Sequence, residues 1–136
     1  MADYGAIRDG LKTRLATSSV LIQVADTVPD VISPPCAIVF PGSPVVEYHE
    51  AMGNGLDRFL FTVQVLAQRF DLAANQDMLD AMISGSSSIR ALVEGDRTLD
   101  GSASDCQVVS ASGYGLRSAM ETDYIGCDWR VEVFAT

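Results

Sequence analysis

The sequence predicts an α+β fold: a mainly antiparallel sheet of four to five strands with two to three helices packed on one face. Three observations predict it. Ile7, Leu11 and Leu15 recur on one helical stripe near the start. The closing segment, Tyr124 to Thr136, alternates strictly between apolar and polar residues. The segments follow the order helix, strands, two helices, two strands, which is not the strand–helix alternation of a parallel sheet.

Residues 3–17 read as the first helix. Asp3 is placed to cap it, and Gly10 weakens it by up to ~1 kcal/mol relative to alanine. A short strand is expected near Leu21 to Ala25. The stretch DTVPDVISPP that follows is rich in proline, which fixes φ and lacks an N–H, so it reads as an extended connector or edge segment. CAIVF (Cys36 to Phe40) is a compact apolar strand that Pro41-Gly42 is expected to stop, with VVEY (Val45 to Tyr48) as a separate short strand. His49 to Asp57, with two glycines and an asparagine, reads as a flexible loop. Asp57 to Gln68 is a long strand. Its odd positions, Phe59 to Ala67, face the core; its other face, with Leu60 and Leu66 among polar residues, is expected to be partly covered, another subunit being one candidate for the cover.

Asp71 is expected to cap a second helix that buries Leu72, Leu79, Met82 and Ile83. Ser87 or Ser88 caps a short third helix carrying Ile89, Leu92 and Val93, with Gly95 at the C′ position. CQVVSA (Cys106 to Ala111) is a strand, and SGYGLRSAMET reads as a turn or loop. On the final strand Ile125, Cys127, Trp129, Val131, Val133 and Ala135 share the buried face, and Asp128, Arg130 and Glu132 belong to a wet one.

Length and charge bound the function. At 136 residues the chain is one domain, 1–136, long enough for a real core. Hydrophobic residues make up 48% and charged residues 20%, a globular balance. The net charge of −9 disfavours wrapping nucleic acid or binding an anionic membrane surface. No apolar stretch approaches the roughly 18 residues that span a bilayer, and the first residues lack the basic and apolar regions of a signal peptide. The expectation is a protein that works in water, inside a cell or in a particle assembled there.

Catalytic chemistry is sparsely provided. Cys36, Cys106 and Cys127 are scattered, with no Cys-x-x-Cys pair, and read as buried thiols in a reducing compartment. Together with the one histidine, His49, they lack the close paired spacing of a zinc-finger ligand set. GNG and GYG lack the flanking strand, third glycine and helix of a dinucleotide site. Asp77 and Asp80 share a helix face that reads as solvated rather than metal-binding. A small hydrolase pairing His49 with Cys36 or Cys127 is the enzymatic alternative; against it His49 reads as a solvated loop residue among Glu47 and Glu50. No catalytic residue, cofactor or metal is assigned, and a binding or structural role is the default.

The order of local patterns carries a resemblance. VPDVISPPCAIVFPG, then GLDRFLFTVQVLAQRFDLAANQDMLDAMI, then SSSIRALVEGDRTLDGSASDCQVV, then YIGCDWRVEVFAT, from Ala6 to Ala135, resembles the small tail terminator (tail completion, or minor tail) proteins of long-tailed bacteriophages, most closely those of actinobacterial phages. The resemblance implies a non-enzymatic virion protein at the head–tail junction, assembled in the host cytoplasm. It implies a ring, usually a hexamer, that caps the tail tube, ends its polymerisation and offers a surface to the head–tail connector or stopper. The partners implied are other copies of the chain, the tail tube protein and the connector; DNA passes through without sequence-specific binding. An acidic channel would repel its phosphates. Another neck component, an adaptor or stopper, is the neighbouring alternative. Met52, Asn54, Asp57 and Arg58 are the candidate interface residues, with Arg58 expected to pair across subunits with Glu47 or Asp57. Tyr48, Tyr124 and Phe134 are candidate exposed aromatics.

Overall fold

The computed structural model describes residues 3–27, 29–51, 56–68, 72–119 and 121–135. They form α1 (Tyr4–Leu15), β1 (Gln23–Ala25), β2 (Cys36–Ala51), β3 (Leu56–Gln68), α2 (Leu72–Ile83), α3 (Ile89–Glu94), β4 (Asp105–Ala119) and β5 (Thr122–Ala135). The strands make one sheet in the order β1-β2-β3-β5-β4. The three long-strand pairings are antiparallel, but β1 runs parallel to β2. The sheet is therefore mixed, because the proline-rich connector returns the chain to the start of β2 instead of turning it back in a hairpin.

The helices and one sheet face share a single core. Ile7, Leu11 and Leu15 of α1, Leu79 and Met82 of α2, and Ile89 and Val93 of α3 pack against the odd positions of β3 and β5. Asp3 Oδ1 accepts the Ala6 N–H at 3.3 Å and caps α1. Ser88 does the same for α3 through the Ala91 N–H at 3.1 Å. The cap expected from Asp71 lies outside the described residues. Ile83, expected inside, is exposed, because α2 ends with that residue on its outer side. Gly95 is not a left-handed C′ residue: its φ of −62° is helical. Its lack of a side chain instead leaves room for the Arg14 guanidinium, whose Nε donates to the Leu92 carbonyl at 2.9 Å. Gly10 serves similarly in α1, since a Cβ there would lie 2.9 Å from the Leu99 Cβ.

Two expected loops are strand. Pro41-Gly42 does not stop β2; it begins an excursion. Pairing passes from Pro41↔Phe61 to Val46↔Phe59, so residues 42–45 stand opposite Leu60 alone. A Cβ on Gly42 would approach the Leu60 backbone to 2.9 Å, so glycine permits this contact. The excursion covers Leu60, and Ile32 and Phe40 pack on the Cys36–Ile38–Leu66–Tyr124 cluster beside it. The apolar residues on the second face of β3, Leu60 and Leu66, are thus covered by their own chain. Beyond the excursion β2 continues through His49 to Ala51, and Ala51 pairs with Leu56. The expected loop from His49 to Asp57 shrinks to the connection between two strands.

Likewise SGYGLRSA belongs to β4. The strand absorbs its glycines in an irregularity between Ser112 and Gly115, where Gly113 takes a φ of +69°. Backbone pairing to β5 resumes at Gly115 and holds to Ala119.

Candidate functional site

Three regions of the molecule could carry function: the open sheet edges, a charged row near the tip of the β2–β3 hairpin, and clefts on either side of the sheet.

The charged row centres on Arg58. It lies on the helix-free face of β3, directly across from Glu47 on β2. Its guanidinium pairs closely with Glu47 and also donates to Glu132 Oε1 of β5 at 3.2 Å. Gln107 of β4 donates to Glu132 Oε2 at 3.4 Å. One row therefore ties together all four long strands. Glu132, expected on a wet face, is only 8% exposed, because Arg58 and Gln107 close over it. Pairing of Arg58 with Glu47 is real but runs within one chain, which removes the observation that suggested a cross-subunit bridge. Asp57 sits beside it, opposite Ala135 on β5. Met52 and Asn54 lie outside the described residues.

The exposed apolar side chains are distributed differently from expectation. Tyr48 is 70% exposed, as anticipated, and Phe134 is half-buried, but Tyr124 is buried in the Leu66 cluster. The sequence reading passed over Ile22, Val31, Val109 and Leu116, all exposed and all beside the outer strands. Alternation around Leu116 was the available signal, hidden by the glycines that made the segment look like a loop.

A polar cleft of about 370 Å³ opens on the helix-free face. Gly42 and Ser43 of the β2 excursion form one wall, Ser110 and Ser112 of β4 the other, with Thr62 and Arg130 between them. Asp128 at its rim is held by Arg117 at 2.6 Å. A second cleft, about 450 Å³, lies between α1 and the loop after α3. There the Asp96 carboxylate accepts from Thr98 Oγ1 at 2.8 Å and from the Asp100 N–H at 2.9 Å. These bonds hold its pKa below the ordinary carboxylate value and fold the loop through left-handed Leu99, Asp100 and Gly101. Asp77 and Asp80 are exposed, and Asp80 accepts the Tyr114 hydroxyl at 3.0 Å. Among the described residues, no three His, Cys, Asp or Glu side chains converge as metal ligands.

The proposed Cys–His pair fails on geometry. His49 lies on β2 beyond the Glu47↔Arg58 row, whereas Cys36 pairs with Leu66 and Cys127 with Val65. From Arg58 to Val65 or Leu66 the strand climbs roughly 23–27 Å at ~3.3 Å per residue. No hydrogen bond spans that distance.

The thiols are also chemically quiet. All three are buried. Desolvation pushes Cys36 and Cys106 up to about 11 and raises Cys127 as well. At neutral pH they are protonated, and the thiolate is the nucleophilic form. A raised folded-state pKa contributes stability that is complete below the unfolded value of 9.0 and is lost as pH rises towards 11. The expected outcome is slow labelling by a thiol reagent at pH 8 in the folded chain and rapid labelling in urea. Stability should fall between pH 9 and 11, by about 1 kcal/mol at pH 10 for each of Cys36 and Cys106. Rapid labelling of any of the three thiols in the folded chain would show that it is accessible and reactive.

No protein-family model matches the sequence, and no curated protein matches it.

Proposed function

We propose that this chain is a structural protein of a long-tailed phage virion, placed at the head–tail junction. Copies form a ring on the end of the tail tube, stop further polymerisation and offer a joining surface to the connector or stopper of the head. The observation that carries this reading is the placement of the exposed apolar residues. Ile22, Val31, Val109 and Leu116 lie by the outer strands of one sheet, and Tyr48 lies near the tip of the β2–β3 hairpin. Apolar side chains placed along open sheet edges suit contact with other macromolecules. Two different edges, rather than one self-complementary patch, suit the heterologous contacts from which rings are built.

The charge balance supports the same reading. A net charge of −9 per copy multiplies around a ring, and carboxylates facing a channel repel phosphate, so DNA would pass without adhering. The order of sequence segments from Ala6 to Ala135 supports the tail terminator in particular over other neck components.

Electron microscopy of particles produced without this chain tests the proposal. The expected result is overlong tails without heads. Tails of normal length joined to full heads would overturn it.

A further inference from the structure

The sheet has two open edges, and they match each other. β1 covers β2 only from Cys36 to Ile38. Among the described residues no strand pairs with the outer side of β2 beyond Ile38, nor with the outer side of β4. Such edges present unpaired N–H and C=O groups, and chains that stay apart guard them with lysine, proline or a covering element. β4 contains neither lysine nor proline from Asp105 to Ala119 and exposes Val109 and Leu116, whereas β2 carries Pro41 and Pro44 in its excursion, where side-chain contact rather than ladder pairing is available.

The strand directions make the edges compatible. β1 and β2 run one way and β4 the other, since β2–β3, β3–β5 and β5–β4 are each antiparallel. Two copies set side by side in the same orientation would bring β4 antiparallel to the β1–β2 edge of the next. The apolar residues also fall at the same height. Leu116 pairs with Ile125, which pairs with Ala67. Gln23 and Cys36 align with Leu66, the adjacent position, and the Ile22 N–H bonds the Pro35 carbonyl at 2.9 Å, so Ile22 lies level with Ala67. The Val31 carbonyl accepts from the Gln23 side chain at 3.0 Å, which holds Val31 near the start of β1. Val109 falls opposite the start of the β2 excursion that carries exposed Val45.

We propose that copies of this chain join head to tail through these edges, β4 of one copy against the β1–β2 edge of the next, with Leu116 meeting Ile22 and Val31 across the seam. The inference rests on the reading of the chain as a ring-former and names the surface that closes the ring. Its size explains why a ring is needed. A strand of fifteen residues is about 50 Å long, and a strip about 10 Å tall along it covers on the order of 500 Å² per copy. That is below the roughly 800 Å² per partner of a stable pair. In a closed ring each copy uses both edges, about twice that area, so isolated pairs are weak and rings are stable. Repulsion between copies of net charge −9 weakens with screening, so association should rise with salt.

Cross-linking tests the seam. Within one chain, four strand spacings separate Ile22 from Leu116, roughly 19 Å, far beyond the ~7 Å limit of a disulfide. The purified Ile22→Cys/Leu116→Cys double variant, concentrated at high salt and oxidised mildly, should give a ladder of dimers, trimers and higher species. Each single variant should remain monomeric on the same gel, as should the parent chain with its buried thiols. Adding Val109→Lys to the double variant should reduce the ladder about tenfold, a loss of about 1.4 kcal/mol. A double variant that stays monomeric would overturn the inference. So would Leu116→Cys alone forming dimers as readily as the double variant, since that marks a symmetric β4–β4 contact. The two proposals separate cleanly: a ladder together with normal tails in the microscopy sinks the virion role alone, and overlong tails without a ladder sink this seam alone.

Discussion

Replacing Trp129 with alanine is expected to lower the unfolding free energy by about 3–5 kcal/mol, the range for removing a buried aromatic side chain. Trp129 is 2% exposed and lies midway along β5, opposite Val63 on β3 and Ala111 on β4. It belongs to the cluster that joins all three helices to the sheet, so the vacated volume cannot be filled without moving several elements. Typical domains have only about 5–15 kcal/mol in total. The variant should therefore unfold in urea at a midpoint lower by about 2 M, taking a slope near 2 kcal/mol/M. Tyr48→Ala serves as the comparison: with Tyr48 70% exposed, its effect should stay within about 0.5 kcal/mol. Equal midpoints for the two variants would mean that Trp129 is not at the centre of the core.

Reversing the charge of Arg58 is expected to cost about 3 kcal/mol, and to do so in the isolated chain. Arg58→Glu would place a third carboxylate between Glu47 and Glu132 and leave Glu132, nearly buried, with only the longer 3.8 Å contact to the exposed Arg130. Loss of one partner from a buried pair is expensive because the other charge remains desolvated. Glu47, about a third exposed, is partly screened and keeps the figure at the lower end of that range. Combining Arg58→Glu with Glu47→Arg should recover part of the loss, since the cation returns to the same row. The measurement is denaturant unfolding of each variant at low protein concentration. If Arg58→Glu unfolds like the parent chain and fails only in assembly, the side chain belongs to an interface after all, and the intrachain row is incidental.

These two residues illustrate how differently core and site could be read. Trp129 was placed correctly because β5 alternates without interruption, and a period of two is visible wherever each residue on one face meets the same environment. The same holds for Ile7, Leu11 and Leu15 and for the odd positions of β3. Ser88 was a legible cap because the backbone N–H groups of a helix start require a local acceptor. Residue order offers Arg58 an acidic partner in Glu47 or Asp57, but it does not show that the Glu47 pair closes within one chain. The pairing depends on Glu47 lying in a strand that continues past Pro41-Gly42, and residue order alone does not show that continuation.

The glycines and prolines account for most of the remaining differences. Read locally, Pro41-Gly42, Gly53, Gly55, Gly113 and Gly115 are breakers. In the folded chain Gly42 lets the β2 excursion press on Leu60, and Gly113 turns an irregularity in β4 that a β-branched residue could not adopt. The neighbouring strand supplies hydrogen bonds that outweigh the weak local preference, which is why strand length is settled between strands and not within one.

Residue order by itself established the class of fold, the sequence of its elements, the buried stripes of α1, β3 and β5, and an acidic surface. Each follows from contacts or periodicities only a few residues apart. Assembly of the sheet established the rest: the parallel β1, the reach of β2 and β4, the Glu47–Arg58–Glu132 row and the two open edges. Those features depend on which segments lie side by side, and that outcome is governed by hydrogen bonding and burial between residues far apart in the chain.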